Sequence, residues 1–353
     1  MISKELAALM ALRVYEQGIN IPDNFPEFPY QDWVKIDISL PVTDGFAYGV
    51  FKNGNEIVIS YRGTDGAAGM MGWDGASNVG LAFGSATSQA IQAAKVYAKV
   101  LELYPANPQG SNISFTGHSL GGGLAGIMSV WFNRPAIVFD PAPFQSTALS
   151  YQAVVDVMGA LGVQTPQALS AYFAIGYPTP SVSVPQVFNA RQIYFYANVV
   201  NEFFSRELAV GRHFAEGEFL DELLVYPSTG IYSASDNTRY TFGNQAGEVG
   251  KFAMHSQALL AAGILSDTFR QSTVNLQRSL PIIMSKEFYS KEPDGSTERN
   301  FILDLIRSEQ KNPDDSKLTH IAIDFSYLGT NQNLAGLNKA AQDAIIAQGV
   351  DAD

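Results

Sequence analysis

The pentapeptide Gly117-His118-Ser119-Leu120-Gly121 constrains this chain more than any other stretch. A short apolar run, Ile113 to Phe115, leads into it, and a helix-length run of small and apolar residues, Leu120 to Phe132, leaves it. That order predicts a strand, a sharp turn and a helix. A serine on so tight a turn takes a strained backbone conformation, and glycines two before and two after remove the side chains that would strike strand and helix. Its hydroxyl then stands clear at the carboxyl edge of the sheet. The amino end of the helix directs free N–H groups and the positive end of its dipole toward the same spot, which suits a nucleophile whose attack builds negative charge on an oxygen.

A chain of 353 residues is long enough for one large α/β domain with an appendage. Apolar residues make up 46% and charged ones 16%, which predicts a sparsely charged surface or a large apolar cavity. The net charge of −12 argues against a nucleic-acid partner and against electrostatic attachment to anionic membranes, so any contact with a lipid interface is hydrophobic. With no cysteine there are neither disulfides nor thiolate metal sites. The segment Met1 to Tyr15 reads as an amphipathic helix; Glu5 interrupts any signal core, and no small-x-small cleavage site follows. The longest apolar runs, Leu120 to Phe132 and Ala258 to Leu265, are shorter than a membrane span. The expectation is a soluble protein, cytoplasmic or secreted without an N-terminal signal peptide.

Around the elbow, Phe46 to Phe51 and Glu56 to Tyr61 predict a hairpin closed by an Asn53-Gly54 turn. Gln89 to Tyr104 carries apolar residues at helical spacing and predicts a covering helix. The strand Ala136 to Phe139 ends in Asp140-Pro141, whose proline holds the aspartate extended at the strand tip, on the edge expected for Ser119. Gln192 to Val200 reads as the next strand, with Glu202 at its exit. Leu208 to Gly250 reads as irregular and polar, and within it His213, like His320 later, is expected to be an ordinary surface or packing residue. His255 precedes an apolar helix and lies downstream of serine and acid, in the chain order Ser, Asp/Glu, His.

The run Gly-His-Ser-Leu-Gly-Gly-Gly-Leu-Ala, preceded by Val58-Ile-Ser-Tyr-Arg62-Gly63-Thr64, resembles the class 3 lipases of the α/β-hydrolase superfamily, including bacterial phospholipase A1-like members. The likeness covers roughly residues 40 to 265. It implies an α/β-hydrolase fold, with a mostly parallel central sheet and helices on both faces, and a serine hydrolase acting on carboxylic esters of lipids through an acyl-enzyme. Ser119 is then the nucleophile and His255, in a segment similar to the family's His-Ser, the base. The resemblance assigns the oxyanion hole to Thr64, third in the Arg-Gly-Thr run, together with the backbone N–H of Leu120. Two carboxylates compete for the acid. Asp140-Pro-Ala resembles the triad aspartate of pancreatic-type lipases and is preferred for its well-defined strand tip; Glu202 occupies the class 3 position, where aspartate is usual. Asp236, in a polar loop, ranks below both.

Residues 141–190 contain a single charged side chain, Asp156, and read as an apolar helical lid or acyl-chain wall over the serine, with core helices as the alternative. The domain reading is 1–268 for the hydrolase, with that lid inserted, and 269–353 for a mostly helical, charge-rich appendage built around a helix from Asn300 to Gln310. Asp294, Asp314 and Asp315 form no alternating calcium-binding ladder. The chemistry needs no metal or organic cofactor. The favoured substrate is a long-chain lipid ester, with a short-chain carboxylesterase and a non-catalytic lipid-binding protein of the same fold as alternatives.

Overall fold

Alternation along the apolar strands decides which helix covers which face. The computed structural model of the chain describes residues 2–16, 32–42, 45–63, 75–104, 112–162, 199–218, 237–244, 247, 249–275, 277, 280, 290–291 and 298–299. Two compact units divide it, one of Met1–Ile19, Phe28–His213 and Leu224–Thr238, the other of Asn20–Glu27, Phe214–Leu223 and Arg239–Asp353. The division does not fall at residue 268. His255 and the helix after it therefore group with the C-terminal part of the chain.

In the first unit, helix α1 (Lys4–Arg13) precedes strands β1 (Val34–Ile36), β2 (Tyr48–Asn53) and β3 (Glu56–Tyr61). Helix α2 (Gly75–Leu103) leads to β4 (Ile113–His118), α3 (Leu120–Phe132) and β5 (Ala136–Phe139). Then come α4 (Gln145–Ala148), α5 (Tyr151–Ala160), α6 (Val200–Leu208) and β6 (Gly211–Ala215). The sheet has seven strands in the order β1 to β7, with β7 at Asn237–Tyr240. Strands β1, β2 and β3 pair antiparallel, whereas β3, β4, β5 and β6 run parallel. This mixed α/β architecture with helices against a largely parallel sheet is consistent with an α/β-hydrolase-like fold.

The β2–β3 hairpin forms as expected, but one residue further along. Asn53 pairs with Glu56, so the two-residue loop is Gly54-Asn55, with Gly54 at φ 54° in the first central position, as a type II′ turn requires. Parallel strands are covered on both faces, and all six residues of β4, Ser114, Thr116 and His118 among them, are buried. Ile57, Ile59, Tyr61, Ile113 and Phe115 face the core built with α2 and α3, where Tyr97 stacks on Phe132 at 4.4 Å. The intervening Ser60 and Thr116 hydroxyls donate to carbonyls of α1, to Met10 at 3.2 Å and Ala7 at 3.3 Å.

That arrangement corrects the expected amphipathic N-terminal helix. Ala7 to Leu12 are all buried, because α1 packs on the sheet through its small residues and keeps its charged ones at its ends. Ser3 caps it, accepting from the Leu6 N–H at 3.2 Å. The described part of the predicted lid also lies in the core. Phe144 packs against Gly126, Trp131 Nε1 donates to the Ala148 carbonyl at 3.0 Å, and Tyr151, Val154 and Val157 join the cluster of α2 and α3. Residues 163–190 of that prediction lie outside the described residues.

The second unit holds α7 (Lys251–Met254), α8 (Gln257–Leu265) and α9 (Asp267–Asn275), with Ser256 capping α8. Phe242 packs against Gly263, and the Gly243 N–H donates to Thr273 Oγ1 at 3.3 Å, so the chain after β7 is fixed to α8 and α9. Within the expected helical appendage, the described residues are 269–275 of α9, Gln277, Leu280 and an antiparallel pair of two-residue strands, β8 (Ser290–Lys291) and β9 (Glu298–Arg299). The predicted helix Asn300 to Gln310, His320 and the three aspartates weighed for calcium lie outside the described residues.

Candidate active site

Ser119 joins β4 to α3 with φ 57° and ψ −128°, a conformation that costs a residue other than glycine about 1–3 kcal/mol. The surrounding backbone holds it there. Its N–H donates to the Phe139 carbonyl at 3.0 Å, and its own carbonyl accepts from the N–H groups of Gly123 at 3.0 Å and Ala142 at 2.9 Å. The elbow is thus bonded to the tip of β5 on both sides of its peptide. Gly121 is demanded by close approach: a Cβ there would strike the Tyr61 carbonyl at the end of β3. Ser119 makes no side-chain capping bond to α3, so its hydroxyl is not consumed by the helix it precedes. Leu120 opens that thirteen-residue helix, whose free N–H groups and dipole favour negative charge beside the serine.

Asp140, fully buried at φ 39°, follows β5, and its N–H donates to the His213 carbonyl at 2.8 Å. Its Oδ2 lies 3.8 Å from Nε2 of His118, the buried residue just before the nucleophile. On the opposite side of that imidazole, Nδ1 is 2.7 Å from the Tyr15 hydroxyl. The structure therefore brings Ser119, Leu120 and Asp140 together on adjacent strand ends. Thr64 and Asp236 lie outside the described residues.

Glu202 lies within a helix. It occupies the first turn of α6, its side chain is 55% exposed, and it pairs with Arg206 one turn on at 3.1 Å. Residues 192–198 of the strand read there lie outside the described residues. His213, expected to be a surface or packing residue, is the latter. It is buried on β6, stacked on Phe139 at 5.5 Å, and burial pushes its imidazole down to about 4, helped by Lys4 and opposed by Glu5.

In the second unit, His255 ends α7 just before Ser256, and the segment expected to be an apolar helix is α8. The ring is buried, and Nδ1 lies 2.8 Å from Oε2 of Glu218, itself fully buried. Burial pushes the imidazole down to about 3. A carboxylate at Nδ1 fixes that nitrogen as the donor and leaves the lone pair on Nε2, the tautomer of a general base. Glu218 is the residue sequence reasoning missed. It closes a turn after β6, with Gly217 at φ 81° and the Glu218 N–H donating to the Ala215 carbonyl at 3.2 Å. The available signal was Ala215-Glu216-Gly217-Glu218, a glycine turn placing a carboxylate just past a short strand.

Residues 7–177 match the model of a phospholipase-like family, the Tle-like phospholipase domain. The matched stretch contains Ser119 and Asp140 and ends before Glu218 and His255. It supports a phospholipase family for this chain, and lipid ester hydrolysis as its general chemistry, without reaching to the class 3 lipases. A sequence comparison with curated proteins returned no match.

Proposed function

We propose that this protein hydrolyses a carboxylic ester of a phospholipid by a serine mechanism, with Ser119 as nucleophile, His255 as general base and Glu218 as the carboxylate that orients the imidazole. The observation that carries the reading is Ser119 held at φ 57° at the end of a parallel strand, its hydroxyl unused by the helix behind it. The buried bond from Glu218 to Nδ1 of His255 supports the assignment of base and acid. Glu202, one of the acids favoured by resemblance, has weaker support, since it pairs with Arg206 on an exposed helical turn, while Asp140 lies 3.8 Å from His118 Nε2.

In the proposed reaction Nε2 of His255 takes the proton of Ser119 as Oγ bonds to the ester carbonyl carbon. The carbonyl oxygen becomes an oxyanion, held by the N–H groups of Leu120 and Thr64. The carbon–oxygen bond to the lysolipid then breaks, and His255 returns the proton to that alcohol. Water, deprotonated by the same imidazole, attacks the acyl carbon; the fatty acid leaves and Ser119 regains its proton.

Exposure to a fluorophosphonate and to phosphatidylcholine vesicles tests the reading. Stoichiometric modification mapped to Ser119, with fatty-acid release abolished in Ser119→Ala and His255→Ala, is the expected result. A folded protein that is neither modified nor hydrolytic overturns it.

A further inference from the structure

The residue least accounted for by that mechanism is Tyr15. It sits in the 3-10 turn Val14–Glu16 that follows α1, more than a hundred residues before the nucleophile. Its hydroxyl is 2.7 Å from Nδ1 of His118, and the two rings meet edge to face at 5.8 Å and 63°. The same hydroxyl lies against Gly63, where a Cβ would overlap it and would also come within 2.8 Å of the His118 carbonyl and 3.0 Å of Ser119 Cβ. Gly63 leaves β3 and immediately precedes Thr64, so the phenol touches both the approach to the proposed oxyanion donor and the residue before the nucleophile.

We infer that Tyr15 is a positioning residue for Ser119, acting through the imidazole of His118; the inference rests on the proposed role of Ser119. A phenol donating to Nδ1 leaves the His118 proton on Nε2, which faces Oδ2 of Asp140 at 3.8 Å. The phenol selects that tautomer and one ring orientation, with the Asp140 carboxylate beyond hydrogen-bond reach on the other side of the ring. The imidazole then spans from the turn after α1 to the tip of β5, and the backbone carrying it continues into Ser119. Hydroxyl, imidazole and carboxylate come from three separate segments, so their registry fixes the elbow relative to β3 and β5. Small displacements of a reacting atom are expensive: a shift of about 1 Å costs on the order of a hundredfold in rate.

Tyr15→Phe removes the hydroxyl and keeps the ring. On p-nitrophenyl butyrate, kcat and the second-order rate of fluorophosphonate modification are expected to fall together by about ten- to a hundredfold, with KM changed less than about twofold. Tyr97→Phe is the control. It removes a buried hydroxyl that accepts from Arg134 Nε at 3.1 Å beyond the far end of α3, and kcat is expected to stay within about twofold of wild type. His118→Gln is expected to repeat the selective loss in kcat, and the double variant to be no worse than the more impaired single, because both act through one contact. If Tyr15→Phe does not fold, the loss in kcat at unchanged KM in His118→Gln carries the test. Unchanged kcat and modification rate in the folded variants overturn the positioning role. A wild-type protein that is not modified at Ser119 overturns instead the hydrolase reading beneath it.

Discussion

Glu218 Oε2 sits 2.8 Å from Nδ1 of His255, and both side chains are buried. A carboxylate so placed stabilises the imidazolium that forms when the base accepts a proton, and it selects the tautomer that can accept one. Glu218→Gln keeps the shape and loses both effects, so kcat is expected to fall by about a thousandfold or more with folding retained. Glu202→Gln, on an exposed helical pair, is expected to change kcat by less than about twofold. Steady-state kinetics on one soluble ester reads both variants. Equal, small effects would remove Glu218 from the mechanism.

Glycines of the same chain respond oppositely to alanine. A Cβ at Gly121 meets backbone on β3, which has no side-chain freedom with which to yield. Gly121→Ala is therefore expected to cost more than about 2 kcal/mol and to slow modification of Ser119. Gly159 lies in α5 with nothing within 4 Å of an added Cβ. Gly159→Ala is expected to gain up to about 1 kcal/mol through helix propensity alone. Thermal or urea unfolding of the two variants gives the signs.

What could be read ahead of the structure was whatever a few neighbouring residues decide. Strand, elbow and helix around Ser119 follow from the spacing of glycines, and Asp140 at the tip of β5 from an apolar run closed by proline. The misreadings share one cause, tertiary contact overriding local pattern. At Val200, expected to end a strand, α6 begins instead, and in it Arg206 reaches Glu202 one turn back, donates to the Val130 carbonyl at 3.1 Å and lies over Phe203. Between the surface and packing roles expected for His213 its sequence neighbours could not choose, because the partner that buries it, Phe139, comes from another strand. The pairing of Glu218 with His255 joins a turn after β6 to the residue after α7, and no local pattern announces it.

Buried His213 makes stability depend on pH in a defined window. Its folded-state value of about 4 lies below the ordinary 6.5, so between those limits the unfolded chain binds a proton that the folded one does not. Stability from this group is complete above about pH 6.5 and is lost as pH falls toward 4, by up to roughly 3 kcal/mol. His255, pushed lower by burial, adds to the loss in the same direction. His213→Phe keeps a ring against Phe139 and removes one titration. Urea unfolding at a series of pH values is expected to show a slope smaller by as much as about 1.4 kcal/mol per pH unit in the variant. An unchanged slope would mean that His213 titrates alike in both states.

Arg212 and Glu207 form a buried ion pair under α4. The guanidinium Nη2 bonds the carboxylate and also donates to the Glu207 carbonyl at 3.0 Å, while its plane lies 5.0 Å from the Phe144 ring and Gln145 Nε2 is 3.4 Å from the acid. Burial raises the Glu207 carboxyl, and Arg212 works against that rise. Removing the arginine alone strands a carboxylate in the interior, so Arg212→Leu is expected to cost about 3–5 kcal/mol at neutral pH. The deficit has a sign in pH as well. Without its partner the Glu207 folded-state pKa rises further, the folded form holds a proton that the unfolded one releases, and the deficit shrinks as pH falls toward the ordinary carboxylate range. Arg212→Leu with Glu207→Leu leaves no charge behind and is expected to recover most of the loss, since a buried pair and an apolar replacement of similar volume differ little. Urea midpoints of the two variants at pH 7 and pH 5 separate the cost of an isolated charge from the worth of the pair. A double variant as unstable as the single one would show that the pair itself, with its contacts to Phe144 and Gln145, holds α4 in place.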